Sequence, residues 1–177
     1  MRVKPLIAIP LIAVALAGCS TEQPAPKETT AAADQKPLFA SDEEALAAAQ
    51  SAYTNYLEVS DQIARDGGAN PERLKGLVSD ALYSEQVSGY EDVNAKGLKA
   101  SGASNFDNFR IQDITDSSIT NYVCLRLSGI HVIDSSGSDV TPSGRDDNLP
   151  LQMEWKQVSG KLVLEKSEVW TGQNFCL

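Results

Sequence analysis

"FRIQDITDSSITNYVCLRLSGIHVID" (residues 109–134) decides the fold class of this chain. Apolar side chains recur at alternate positions: Phe109 and Ile111, then Val123, Leu125 and Leu127, then Ile130 and Val132. That spacing belongs to strands with one buried face. Ile114 is displaced, and a second slip falls at Ser128-Gly129, where a β-bulge within one long strand would return the apolar residues inward. Two further strands follow. "PLQMEWKQ" (150–157) alternates Leu151, Met153 and Trp155, and "LVLEKSEVW" (162–170) returns beside it after a turn at Val158-Ser159-Gly160-Lys161.

Upstream of this stretch the period changes from two to between three and four. "SDEEALAAAQSAYTNYLEVSDQIARDGG" (41–68) opens with a capping box, Ser41 with Glu44 three residues on. Leu46, Ala49, Tyr53, Tyr56, Ser60 and Ile63 then share one helical face, and Gly67-Gly68 stops the helix. A second helix is expected in "ANPERLKGLVS" (69–79), with Asn70 as cap and Pro71 at its first position. A third is expected within "DALYSEQVSGYEDVNAKGL" (80–98), ending near Gly97 and weakened by Gly89. Helices first and an antiparallel sheet afterwards make an α+β domain, with the helices packed on one face of the sheet.

The N-terminus has a different texture. Arg2 and Lys4 precede an uncharged apolar run, Pro5 to Leu16, which is shorter than the roughly 20 residues that a membrane-spanning helix needs. A basic start, an apolar middle and small residues at the end form a secretory signal. The end is Leu16-Ala17-Gly18-Cys19, which resembles the lipobox of bacterial lipoproteins. The resemblance implies a signal peptide over residues 1–18, cleavage before Cys19, and diacylglycerol on its sulfur. Two acyl chains hold a protein on a membrane where one does not. Residues 19–39 then form a lipidated tether: Ser20 to Lys36 carries no aromatic or large aliphatic side chain, too little to offset ordering its backbone. Residues 40–177 remain for a single domain.

Loss of residues 1–18 removes two of the 15 basic residues and none of the 24 acidic ones, leaving a formal charge of −11. Such a surface repels nucleic acid and anionic headgroups, so the acyl group must supply the membrane attachment. Once Cys19 is used, Cys124 and Cys176 remain, an even number suited to an oxidising compartment. They form a structural disulfide, two free thiols or a redox pair; their separation is unlike Cys-x-x-Cys, which favours the structural bridge. The spacing of His and Cys makes no zinc site, and no metal or other cofactor is expected.

"GLVSDALYSEQVSGYE" (76–91), "DVTPSGRDDNLPL" (139–151) and "SEVWTGQNFC" (167–176) resemble a family of exported actinobacterial lipoproteins and related secreted proteins. The order of elements resembles the NTF2-like (SnoaL-like) cone fold. That resemblance implies a curved antiparallel sheet with helices on it, and it implies no particular activity, since such folds host enzymes, carriers and binding domains.

Candidate chemistry is sparse. His131 has no carboxylate at a useful sequence spacing and is read as a surface histidine. Asp134, Asp139, Asp146 and Asp147 lack EF-hand spacing and are read as a polar hairpin loop. Tyr53, Tyr56, Tyr90, Trp155 and Trp170 either line a helix–sheet pocket or fill the core there. The expectation is a lipid-anchored module on the outer side of the cell membrane, non-catalytic, binding an envelope protein or small ligand. The alternatives are a cone-fold enzyme acting on a small apolar molecule, and a structural subunit forming a homodimer through its outer sheet face. An enzyme requires an open cavity of roughly 300 Å³ or more faced by a buried ionisable group.

Overall fold

A computed structural model describes residues 38–176. The signal segment, Cys19 and the tether up to residue 37 lie outside the described residues. The elements in chain order are α1 (Asp42–Arg65), a 3₁₀ turn (Pro71–Leu74), α2 (Asp80–Ala95), β1 (Lys99–Ser101), β2 (Asn105–Ile114), β3 (Ser118–Arg126), β4 (His131–Ile133), β5 (Asn148–Val158) and β6 (Lys161–Val169). No described helix is long and apolar enough to cross a membrane.

The capping box forms as expected at α1. Ser41 Oγ accepts from the Glu44 N–H at 3.2 Å, and the Glu44 carboxylate reaches back to the Ala40 N–H at 2.8 Å. At its far end Gly68 adopts φ +81°, and a Cβ there would stand 2.2 Å from the Tyr90 carbonyl oxygen. Only glycine permits that approach, so the Gly-Gly stop also sets how closely the chain passes α2. Leu38 and Phe39, just ahead of α1, pack against the core.

The second expected helix is a single 3₁₀ turn. Asn70 is in the left-handed region with φ 56° and makes no side-chain cap bond. Pro71 suits the start of either helix type, and Gly76 at φ +79° turns the chain away after Lys75. Leu77–Ser79 then runs along β6: Leu164 N–H donates to the Leu77 carbonyl at 2.9 Å, and Ser79 N–H to the Leu164 carbonyl at 2.9 Å.

The main sheet is antiparallel with strand order β2-β3-β5-β6. Register shifts in β2 and opposite Glu154/Trp155 bend it. The β5–β6 hairpin closes through Ser159 and Gly160, both at positive φ (51° and 81°), the combination a two-residue type I′ turn requires. The single long strand expected over residues 119–134 is two strands. The chain leaves the main sheet after Arg126, turns with the Ile130 N–H on the Leu127 carbonyl (2.9 Å), and pairs β4 with β1 in a separate two-stranded arm. The slip at Ser128-Gly129 is therefore a turn between sheets, not a bulge.

The helices and the main sheet enclose one core, with Ala49, Tyr53, Leu57 and Ile63 of α1 set against Ile119, Val123, Met153 and Trp155. This is the α+β arrangement, helices on a bent antiparallel sheet, that the resemblance to NTF2-like proteins implies.

Candidate functional site

The centre of the space between α1 and the sheet is packed, and grooves of about 540 and 490 Å³ open at its margins, the second lined by Leu57, Asp61 and Phe106 among others. Tyr53 and Trp155 are each 1% exposed, and Asn121, the polar residue on the inner face, is 0% exposed. The Tyr53 ring lies 4.9 Å from Phe106, 6.0 Å from Tyr56 and 6.4 Å from Trp155, centroid to centroid. Tyr56 stacks on Tyr53, Phe106 is tilted and Trp155 stands edge-on, all favourable aromatic packing at these separations. Trp155 Nε1 donates to Asn121 Oδ1 at 2.7 Å, while the buried Asn121 Nδ2 finds no partner among the described residues.

Sequence reasoning passed over Asn121 and Phe106. Asn121 was detectable, because it sits two residues from both Ile119 and Val123, on the inward parity of β3. Phe106 was hidden by the bulge that follows it in β2.

A second layer of polar contacts joins the two helices. Gln86 Nε2 donates to the Tyr56 hydroxyl at 2.7 Å, and Ser60 Oγ and the Tyr90 hydroxyl share a hydrogen bond at 2.7 Å. Burial raises the pKa of all three inner phenols. Tyr56 is pushed up to about 12 by burial and by Tyr90, Tyr53 is raised further by burial, and Tyr90 is raised by the same cause. At neutral pH these hydroxyls stay protonated and can orient a partner, but they cannot accept a proton as a base. Asp61, at the edge of this region, is occupied otherwise: its carboxylate accepts from the Ser104 N–H and hydroxyl at 2.8 Å, tying α1 to the approach to β2.

Of the five candidate aromatics, Tyr53, Tyr56, Tyr90 and Trp155 come together on the helix side. Trp170 does not. It follows β6 on the opposite face of the sheet, 4.9 Å from the Tyr122 ring, and Phe175 packs on Tyr122 at 5.7 Å. The reason is parity: Tyr122 lies between the inward Asn121 and Val123, and the C-terminal segment folds back over it. That segment is fixed at its end. Cys124 and Cys176 are bridged across 52 residues, and Arg126 donates to the Cys176 carbonyl at 2.9 Å while holding both carboxylate oxygens of Asp107 at 2.9 Å. The bidentate Arg126 fork thereby locks strand β2, strand β3 and the C-terminal segment together.

His131 is exposed on the arm, but it is paired. Asp139, eight residues on, is brought to 2.9 Å from His131 Nδ1 by the intervening turn. The expectation of no partner fails because the chain reverses after Ile133 and sets Asp139, in the next strand-like segment bridged to Ile133, beside the ring. The other Asp139 oxygen accepts from the Thr141 N–H and hydroxyl, and these bonds, with Thr141 first, lower its pKa. Asp134 Oδ1 accepts from Ser136 and Ser138, which lowers its pKa and closes the turn at 134–138. Asp147 pairs with Arg145 at 2.7 Å. Each of these three carboxylates thus holds the fold of the polar loop.

Grooves remain on the surface. One of about 540 Å³ lies on the outer sheet face and is polar, with Gln112, Asp113, Thr120, Gln152, Glu154 and Glu168 among its lining. Another of about 300 Å³ beside the arm is apolar, lined by Ala64, Val93, Leu98, Val132, Val140 and Pro142.

No protein-family model matches the chain, and no curated protein matches it. Solved structures similar to it include the intermembrane space region of the chloroplast protein ARC6, at 9% identity over 68% of this chain and 92% of that one, with a TM-score of 0.46. Aln2 from a Streptomyces species is similar at 13% identity over 73% of this chain and 90% of that one, with a TM-score of 0.47. LinA is similar at 11% identity over 74% and 92%, with a TM-score of 0.40.

Proposed function

We propose that this chain is a lipid-anchored, NTF2-like module of the cell envelope that works by binding at its surface and catalyses no reaction inside the helix–sheet space. One observation carries the second part of that reading. The space is filled by Tyr53, Trp155 and Asn121, and Asn121, an amide, is its fully buried polar residue among those described. An enzyme of the cone type needs a cavity there and an ionisable group facing it. The phenols nearest the space are raised in pKa by burial and stay neutral.

The anchoring part rests on Leu16-Ala17-Gly18-Cys19 and on an acidic chain with no electrostatic attraction to anionic headgroups. The Cys124–Cys176 bridge agrees with an oxidising compartment.

Two experiments test the reading. Cys19→Ser releases the protein from the membrane into the medium, and its retention in the membrane fraction would end the anchoring proposal. A thermal-shift screen of small apolar molecules against the purified protein leaves the melting temperature unchanged. A saturable rise that Tyr53→Ala removes would favour the enzyme or carrier alternative.

A further inference from the structure

Strand β6 forms one edge of the main sheet. Its first half is covered by Leu77–Ser79 through the Leu164 bonds. Its second half, beyond the register shift at Glu154/Trp155, has β5 as its one strand partner among the described residues. Trp170 N–H donates inward to the Pro150 carbonyl at 2.8 Å, so by alternation the main-chain groups of Ser167 and Val169 point out from the edge. Native edges are commonly blunted by charged side chains, bulges or a covering segment, and a charged edge pairs with another strand only where the charges facing each other are opposite. Here the exposed stretch reads Glu165-Lys166-Ser167-Glu168-Val169, with opposite charges on either side of a central serine.

We propose that this half of β6 pairs antiparallel with the same strand of a second copy, about a two-fold axis at Ser167, so that two four-stranded sheets become one. The register is self-complementary, as a two-fold interface requires. Ser167 exchanges both main-chain bonds with its counterpart, Lys166 stands opposite the second copy's Glu168, and Glu168 opposite its Lys166. Lys166 already faces Glu154 within its own sheet at 3.8 Å, so pairing places it between two carboxylates. On the helix side a groove of about 310 Å³, bounded by Ala81, Leu82 and Glu85 of α2 and by Glu165 to Glu168 of β6, runs beside the same edge, on the side to which the second copy's Ser167 and Val169 would project. Val169, 57% exposed in the single chain, is covered there. The outer sheet face, polar at Thr120, Gln152 and Glu154, stays open, so this dimer differs from one formed through that face. The proposal goes beyond surface binding and does not depend on the anchor.

Cross-linking tests it. Ser167→Cys is placed in the full chain carrying Cys19→Ser, so that the introduced thiol is free while Cys124 and Cys176 remain bridged. Hydrogen-bonded antiparallel partners stand about 5.5 Å apart between Cα atoms, within the reach of a disulfide. Mild oxidation should give a covalent dimer about tenfold faster than with Ser88→Cys, an exposed control on α2. Adding Lys166→Glu sets like charges opposite each other and slows the cross-link by about tenfold, and adding Glu168→Lys as well restores it. A Ser167→Cys rate equal to that of the control, or a charge swap that fails to restore the rate, would overturn the proposal.

Discussion

The two faces of the main sheet are built from alternate residues of the same strands, and they have opposite characters. Inward, Ile119, Asn121, Val123, Met153 and Trp155 meet α1 and are sealed from water. Outward, Thr120, Gln152 and Glu154 line a polar groove, and Trp170 and Phe175 pack on Tyr122. The inner face commits its residues to stability, while the outer face, the edges and the arm keep side chains open to solvent.

Substitutions on the two faces separate them. Trp155→Ala, which opens the inner face and leaves the Asn121 carbonyl oxygen without its donor, is expected to cost about 5 kcal/mol in a denaturant titration. A loss under about 2 kcal/mol would mean that the space is less tightly filled than described. Cys176→Ser frees the C-terminal segment from the outer face. It should cost about 4 kcal/mol, with the unfolding slope rising as the reduced chain expands. Tyr122→Ala should cost only about 1 kcal/mol, since the residue is half-buried and the segment over it stays tied by the bridge.

Alkaline titration followed by tyrosinate absorbance sharpens the same contrast. Of the five tyrosines, Tyr53, Tyr56 and Tyr90 have raised pKa values in the folded chain. A phenol whose folded pKa exceeds its unfolded value of about 10 stabilises the fold fully below that pH. That contribution is lost as pH climbs through the folded value, about 12 for Tyr56. Stability should therefore decline above pH 10, with the inner phenols ionising together with unfolding. Ionisation of all five tyrosines near pH 10 without unfolding would contradict their burial.

Elements set by local chemistry were legible in the sequence. The Ser41–Glu44 box, the turn at Ser159-Gly160, the inward parity of Leu151, Met153 and Trp155, and the α+β order all follow from short-range rules. What escaped depends on partners distant in sequence. Period two shows that residues 119–134 are extended, but it cannot tell which strand each half joins, and so the arm formed by β1 and β4 was missed. Trp170, expected in the helix–sheet space, stands on the outer face beside Tyr122, because it follows Val169, whose pairing with the inward Leu151 is set only by the β5–β6 register. The His131–Asp139 pair needs the turn at 134–138 to bring it together. The 3₁₀ turn at Pro71–Leu74 carries the same start signal as an α-helix, and only the left-handed glycine after Lys75 cuts it short.

Crystals of the domain exposed to xenon under pressure would test most directly whether the helix–sheet space is closed, since xenon enters empty apolar cavities. The account predicts no xenon among Tyr53, Phe106, Met153 and Trp155; an ordered xenon atom at that place would contradict it.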